Sequence, residues 1–377
     1  MFGRRITLFK LLGFEVRIDL SWIVIAVLVT WSLARWLFPQ NYPQLQPKVY
    51  WEMGVAGALG LFASIIFHEF CHSLVARRFG MHMKGITLFI FGGVAEMGEE
   101  PPTARAEFFM AAAGPLSSIL IGAVFYGLYL IGHRGGWPLP LNAVLRYLAW
   151  INALLAVFNL LPAFPLDGGR ILRSILWGAR QNLQWATRVS AAIGSGFGVI
   201  LICWGVLQVV WQNNLIGGLW IFLIGLFLRN AARMSYQQLL VRRALEGERI
   251  SRFMTRDPIT VPPAITVAKL VEDYVLKYHF KMFPVLDDGR LVGCVTSRDI
   301  KGIPKEEWGR ESVGQIAVRC PPEAIIEPQT DAVKALAIMN QTGQSRLLVA
   351  ENNRLVGILT LKDLLAFLSL KVEMGQT

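Results

Sequence analysis

Hydropathy along the chain falls sharply after Leu228. Before that point lie six apolar runs, at 20–38, 54–75, 106–131, 143–161, 191–211 and 215–228. Each is near the ~20 residues that an α-helix needs to cross a bilayer, the last being short. From Arg229 onward the pattern is polar and basic, and then short β-rich runs alternate with turn residues. The pattern predicts a multi-pass α-helical membrane domain at 1–228, a helical linker at 229–250 and an α+β soluble module at 251–377.

The soluble part contains an internal repeat. A segment from Phe283 through Gly293, Thr296 and Asp299 recurs from Arg346 through Gly357, Thr360 and Asp363, offset by 64 residues. Asp287-Asp288-Gly289 and Asn352-Asn353 are hairpin signals between β-rich runs. Each copy therefore reads as strand, turn, strand and a helix opened by Thr-x-x-Asp, with the copies at about 251–305 and 312–372.

Composition agrees with the pattern: 54% of residues are hydrophobic and only 17% charged, values of an integral membrane protein. The net charge of +11 is 37 basic minus 26 acidic residues, and on its own would suggest nucleic acid. Its distribution says otherwise. Arg4, Arg5, Lys10 and Arg17 precede the first run; Arg77, Arg78, Lys84 and Arg105 follow the second; Arg170, Arg173, Arg180 and Arg188 follow the fourth; Arg229, Arg233, Arg242 and Arg243 follow the sixth. The alternate loops hold little more than Lys48 and Arg134. Loops rich in Lys and Arg face the cytoplasm, so both termini and the soluble module are expected there, in a multi-pass protein of the cell membrane with no nucleic-acid partner. The opening segment is amphipathic and lacks a small-residue cleavage site, so the first apolar run is expected to stay in place. Cys71, Cys203, Cys294 and Cys320 are widely spaced, which supports neither a disulfide scaffold nor a thiolate zinc site.

The chemistry concentrates in the second apolar run, at Phe67-His68-Glu69-Phe70-Cys71-His72. His68 and His72 are one helical turn apart on one face and can share a metal, while Glu69 stands beside them to take a proton from water. Ionisable groups inside a membrane helix cost at least ~2.5 kcal/mol each for a charged form, so this cluster needs a metal or a polar cavity. A satisfied pair of buried histidines would not require the glutamate. Cys71 lies near the pair and is most simply a packing residue.

Catalytic zinc usually has three protein ligands and one open position. Asp167, in Asn159-Leu-Leu-Pro-Ala-Phe-Pro-Leu-Asp-Gly-Gly-Arg170, is the candidate for the third, since the fourth apolar run ends on the side where His68 and His72 stand. An aspartate that simply starts a helix is the competing reading. Ala113-Gly114-Pro115, in the third run, reads as close helix packing and a kink with no chemistry.

H-E-x-x-H in one membrane helix, N-x-x-P-x-x-P-L-D-G after another and paired repeats in the tail resemble the site-2 protease family of intramembrane metalloproteases, in the branch that carries a cystathionine-β-synthase (CBS) domain pair. The resemblance implies one Zn²⁺ held by His68, His72 and Asp167, Glu69 as general base and acid, and Asn159 at the substrate carbonyl or its oxyanion. It implies that Phe91-Gly92-Gly93-Val94-Ala95 is a re-entrant β-hairpin whose edge, at Gly92 and Gly93, pairs with an extended substrate. In the tail it places Thr296, Asp299, Thr360 and Asp363 at an adenine nucleotide such as ATP, although the same residues are ordinary helix starters. It also implies a homodimer through the CBS pair. The expected activity is cleavage of a peptide bond in or near a transmembrane segment of a membrane-bound substrate, in regulated intramembrane proteolysis. The alternative is a transporter or channel with a regulatory CBS tail, which needs ligands but no general base.

Overall fold

The computed structural model describes residues 5–81, 83–89, 92–97, 100–352 and 354–374. Phe91 and Asn353, part of two of the hairpin signals, lie outside the described residues. The chain divides into two units, Met1–Gln237 and Gln238–Thr377.

The opening residues form two antiparallel strands, β1 (Arg5–Leu11) and β2 (Phe14–Asp19). Leu12 and Gly13 turn the chain between them with positive φ, of 48° and 90°. Asp19 then caps the first membrane helix by accepting from the Ser21 amide. That span, α1 (Leu20–Asn41), includes a π-turn at Leu33–Leu37. It is followed by α2 (Pro47–Arg78), which carries the H-E-x-x-H motif and ends on Arg77 and Arg78, where cations suit the helix dipole. Strands β3 (Met83–Phe89) and β4 (Gly92–Met97) come next. The four strands form one sheet in the order β1-β2-β3-β4, with β2 and β3 parallel and β4 at an edge.

The remaining helices of the unit are α3 (Ala104–Arg134), α4 (Leu139–Asn159), the shorter α5 (Asp167–Arg180), α6 (Leu183–Gln212) and α7 (Leu215–Leu245). Six of the described helices, α1 to α4, α6 and α7, are long and apolar enough to cross a membrane. Among them, α6 and α7 outrun the hydropathy signal. α6 begins at Leu183 because Ala186, Thr187 and Ser190 are fully buried small residues, which pack helices closely without raising hydropathy. α7 runs on past Leu228, since Arg229, Arg233, Arg242 and Arg243 end the apolar run but are good helix formers.

The second unit is built from the repeat. Strands β5 (Met282–Asp287) and β6 (Arg290–Thr296) form one hairpin, followed by the short helix α8 (Ser297–Lys301). In the second copy the two-residue strand β7 (Ile325–Ile326) and helix α9 (Ala332–Thr342) precede the hairpin of β8 (Arg346–Glu351) and β9 (Arg354–Thr360), and α10 (Leu361–Glu373) follows it. The sheet order is β5-β6-β9-β8-β7, with Thr255–Arg256 paired to β9. Alternate residues Leu347, Val349 and Leu359 point into one core with Leu245, Ile250 and Leu364; Phe283, Val285 and Val295 point into another with Val261 and Leu270. Cys294 and Cys320 are joined by a disulfide with a Cα–Cα distance of 5.8 Å, a pairing that their separation of 26 residues did not announce.

Candidate metal centre and catalytic cavity

His68 and His72 lie toward the C-terminal end of α2, on its buried face, 3% and 7% exposed. Asp167 is the first residue of α5, and Leu166 takes the cap position without a side-chain capping bond. The Asp167 carboxylate turns to the histidines instead of serving the helix start. Its Oδ2 stands 3.1 Å from Nε2 of His68 and 3.1 Å from Nε2 of His72, and the two Nε2 atoms are 3.1 Å apart. The three residues form the metal-capable group found among the described residues, and Cys71 lies outside it.

Hydrogen bonds on the far side of each ring decide what the near side offers. Nδ1 of His72 is 2.7 Å from the carbonyl oxygen of Met110, which can only accept, so the ring hydrogen of a neutral His72 is on Nδ1 and Nε2 carries a lone pair. Nδ1 of His68 is 2.9 Å from Oγ of the fully buried Ser118. The Nε2 lone pair of His72, Nε2 of His68 and a carboxylate oxygen thus converge where little water reaches, and with a lone pair on His68 as well the arrangement repels itself unless a cation or proton sits between. Zinc bonds of ~2.0–2.1 Å put tetrahedral donors roughly 3.3 Å apart, close to the spacing found here. Two nitrogens and one oxygen are the donor set of a catalytic zinc site.

Space around the group is kept open by Gly114. A β-carbon there would lie 2.2 Å from Nε2 of His72 and 2.6 Å from Nε2 of His68, so a side chain would collide with both imidazoles. The close helix approach read for Ala113-Gly114-Pro115 falls at Gly114, against the histidines, and Met110 and Ser118 of the same helix add supports that the sequence reading did not name. None of the three has a signal in the chain beyond small-residue spacing, because their importance lies in contacts between α3 and α2.

The half-buried Glu69 stands beside the group and faces β4: a β-carbon on Gly93 would be 2.7 Å from Cγ of Glu69. Gly92 and Gly93 pair with Phe89 and Leu88, and among the described residues the other edge of β4 pairs with no strand. Asn159 ends α4. A cavity of about 510 Å³ is lined by His68, Glu69, His72, Asn159, Asp167 and Gly93 together with apolar side chains such as Trp22, Phe62 and Phe227. The glycines of the D-G-G segment permit this placement, since a β-carbon on Gly169 would be 2.2 Å from the Phe164 amide nitrogen in the loop that leads to Asp167.

In the second unit the paired Thr and Asp residues serve each other. Oγ1 of Thr296 donates to Oδ2 of Asp299 at 2.6 Å and that of Thr360 to Oδ2 of Asp363 at 2.7 Å; the Thr296 and Thr360 amides also donate to these carboxylates. Both are helix-start boxes, at α8 and α10.

Residues 56–134 and 137–203 match peptidase family M50, and residues 250–305 and 313–370 match the CBS domain. Rip3 of Mycobacterium tuberculosis is 36% identical over 360 residues, covering 95% of this chain and 91% of that protein. The zinc metalloprotease MJ0392 of Methanocaldococcus jannaschii is 29% identical over 97% of this chain and 96% of its own. The solved site-2 protease from Methanocaldococcus jannaschii is similar over 61% of this chain and 94% of its own, with 30% identity and a TM-score of 0.42. Fold and site together define a multi-pass membrane metalloprotease. The chain belongs to peptidase family M50, the zinc metalloproteases of the site-2 protease type, and carries a pair of CBS domains.

Proposed function

We propose that the chain hydrolyses a peptide bond within or beside a transmembrane segment of a membrane-bound protein, with Zn²⁺ held by His68, His72 and Asp167. The observation that carries this reading is the convergence of three donor atoms at 3.1 Å beside Glu69, in a cavity among membrane helices. Zinc bound there supplies Lewis acidity, which brings the pKa of water toward ~7 and draws charge from a carbonyl. Glu69 accepts a proton from the attacking water and returns it to the departing amine. The amide of Asn159 donates to the carbonyl oxygen as it becomes negative. A transmembrane helix hides its carbonyls, so the substrate unwinds, and the open edge of β4 at Gly92 and Gly93 takes up the freed backbone groups as an added strand.

The basic loops support a cytoplasmic position for both termini and for the second unit. There an adenine nucleotide regulates cleavage, with Thr296, Asp299, Thr360 and Asp363 as its contacts, and two chains associate through the CBS pair. The substrate is a membrane-anchored regulator whose release by cleavage is the signal.

The test is Glu69→Gln in the purified full-length chain, assayed on single-span membrane proteins in micelles. Loss of cleavage with zinc retained supports a general base. Unchanged cleavage removes the enzyme mechanism, and a wild-type chain that cuts nothing while conducting or transporting ions favours the transporter reading. Calorimetric titration with AMP and ATP tests the regulator; no binding, together with cleavage rates indifferent to either, removes it.

A further inference from the structure

One face of α3 touches both imidazoles of the metal group. Met110 bonds His72 through its carbonyl, Gly114 lies under both rings, and Ser118 bonds His68. Glu107 lies three residues before Met110, and at spacings of three and four positions 107, 110, 114 and 118 share one stripe of the helix. Glu107 is 0% exposed, and its partner is Arg173 of α5, 4% exposed, which donates from Nε to Oε1 at 2.7 Å. Arg173 also reaches Glu100 at 3.4 Å and Thr187 of α6 at 3.5 Å, and its guanidinium lies over the Phe164 ring, 5.0 Å from the centroid. The helix that carries Asp167 and the loop that leads to it are therefore both tied, through Arg173, to the stripe that holds the histidines.

We propose that the buried Glu107–Arg173 pair is a positioning device for the metal centre, setting α5 against α3 so that the Asp167 carboxylate meets the two imidazoles at bonding distance from one ion. Asp167 is the first residue of a helix of 14, and Arg173 lies six residues further along it. An anchor there sets the depth and angle of the helix start. An arginine suits this task because its planar fork fixes direction as well as distance, which a lysine does not. The pair touches no substrate and acts through Asp167. The inference rests on the zinc reading above.

The test uses the full-length chain in micelles, stripped of metal and titrated with Zn²⁺ against a chromophoric chelator, then loaded with Co²⁺ to read the visible spectrum of the site. Arg173→Met and Glu107→Gln are expected to weaken zinc binding about tenfold or more and to shift the cobalt spectrum toward that of Asp167→Ala. Arg173→Lys should fall between these and the wild type. Glu107→Leu combined with Arg173→Met replaces the pair by apolar bulk; the metal-free chain should then unfold at the wild-type temperature while zinc binding stays weak. Should Arg173→Met fail to fold, the double variant and Arg173→Lys carry the test. Folded variants with wild-type zinc affinity and cobalt spectrum overturn the proposal. A wild-type chain that takes up no zinc, or Asp167→Ala with unchanged affinity, overturns the zinc reading instead.

Discussion

Gly114 of α3 lies so close to His72 that a β-carbon on it would stand 2.2 Å from Nε2, inside any non-bonded contact. The glycine of one membrane helix thus keeps open the space that the imidazole of another faces. Gly114→Ala is expected to abolish zinc binding and cleavage while the chain still inserts and folds. Gly127→Ala, on the same helix with nothing within 4 Å of the added carbon, should keep both and gain up to ~1 kcal/mol of helix propensity. Bound zinc measured by atomic absorption in the two variants checks the pair of outcomes; equal zinc content would contradict the geometry.

Ser118 holds the outer nitrogen of His68, and such partners of metal-binding histidines are worth roughly 10–100-fold in metal affinity. Ser118→Ala should lower zinc affinity within that range and leave helix content unchanged. Chelator competition decides it, and an unaltered constant would mean that packing alone orients the ring.

Asn159 lines the cavity from the end of α4 without joining the metal group. Its loss should therefore be felt in turnover and not in metal content. Asn159→Ala is expected to lower kcat by about 10²–10³, the cost of removing one donor to a developing oxyanion, with bound zinc at the wild-type level. A change confined to KM would assign Asn159 to substrate binding alone.

The second unit has its own electrostatic tie. Lys371 donates to the carbonyl oxygen of Ala244 at 2.8 Å and to Glu248 at 3.0 Å, and Arg252 reaches the same carboxylate at 2.5 Å. The hydrogen bond from Lys371, aided by Arg252, holds the Glu248 carboxyl below its usual range. A carboxylate with a lowered folded pKa stabilises the fold above the unfolded value of ~4.3 and ceases to do so as pH falls through the folded value. Lys371→Met should then cost about 0.5–1.5 kcal/mol at pH 7, and the deficit relative to wild type should shrink below about pH 4. Calorimetry of the full-length chain from pH 7 to pH 3 reads this; a deficit that grows on acidification would show that Glu248 is not the partner that matters.

Local pattern was enough for several features, and for a physical reason: each is written in neighbouring residues. Six apolar runs announced the membrane helices because crossing a bilayer demands uninterrupted apolar length. The spacing of His68 and His72 put both imidazoles on one face because i and i+4 meet on any helix. The 64-residue echo announced a duplicated unit because each copy repeats the same strand alternation. Other features depended on packing between segments remote in the chain. Asp167 stands 95 and 99 residues from its two partners, and its carboxylate could equally have served the start of α5; only the contact of α5 with α3 turned it to the histidines. Met110, Gly114 and Ser118 look like ordinary members of an apolar helix until that helix is laid across α2. Hydropathy records which solvent a residue avoids and says nothing about which neighbour it meets, so the supports of the metal centre, the Glu107–Arg173 tie and the Cys294–Cys320 bond belonged to the tertiary structure to decide.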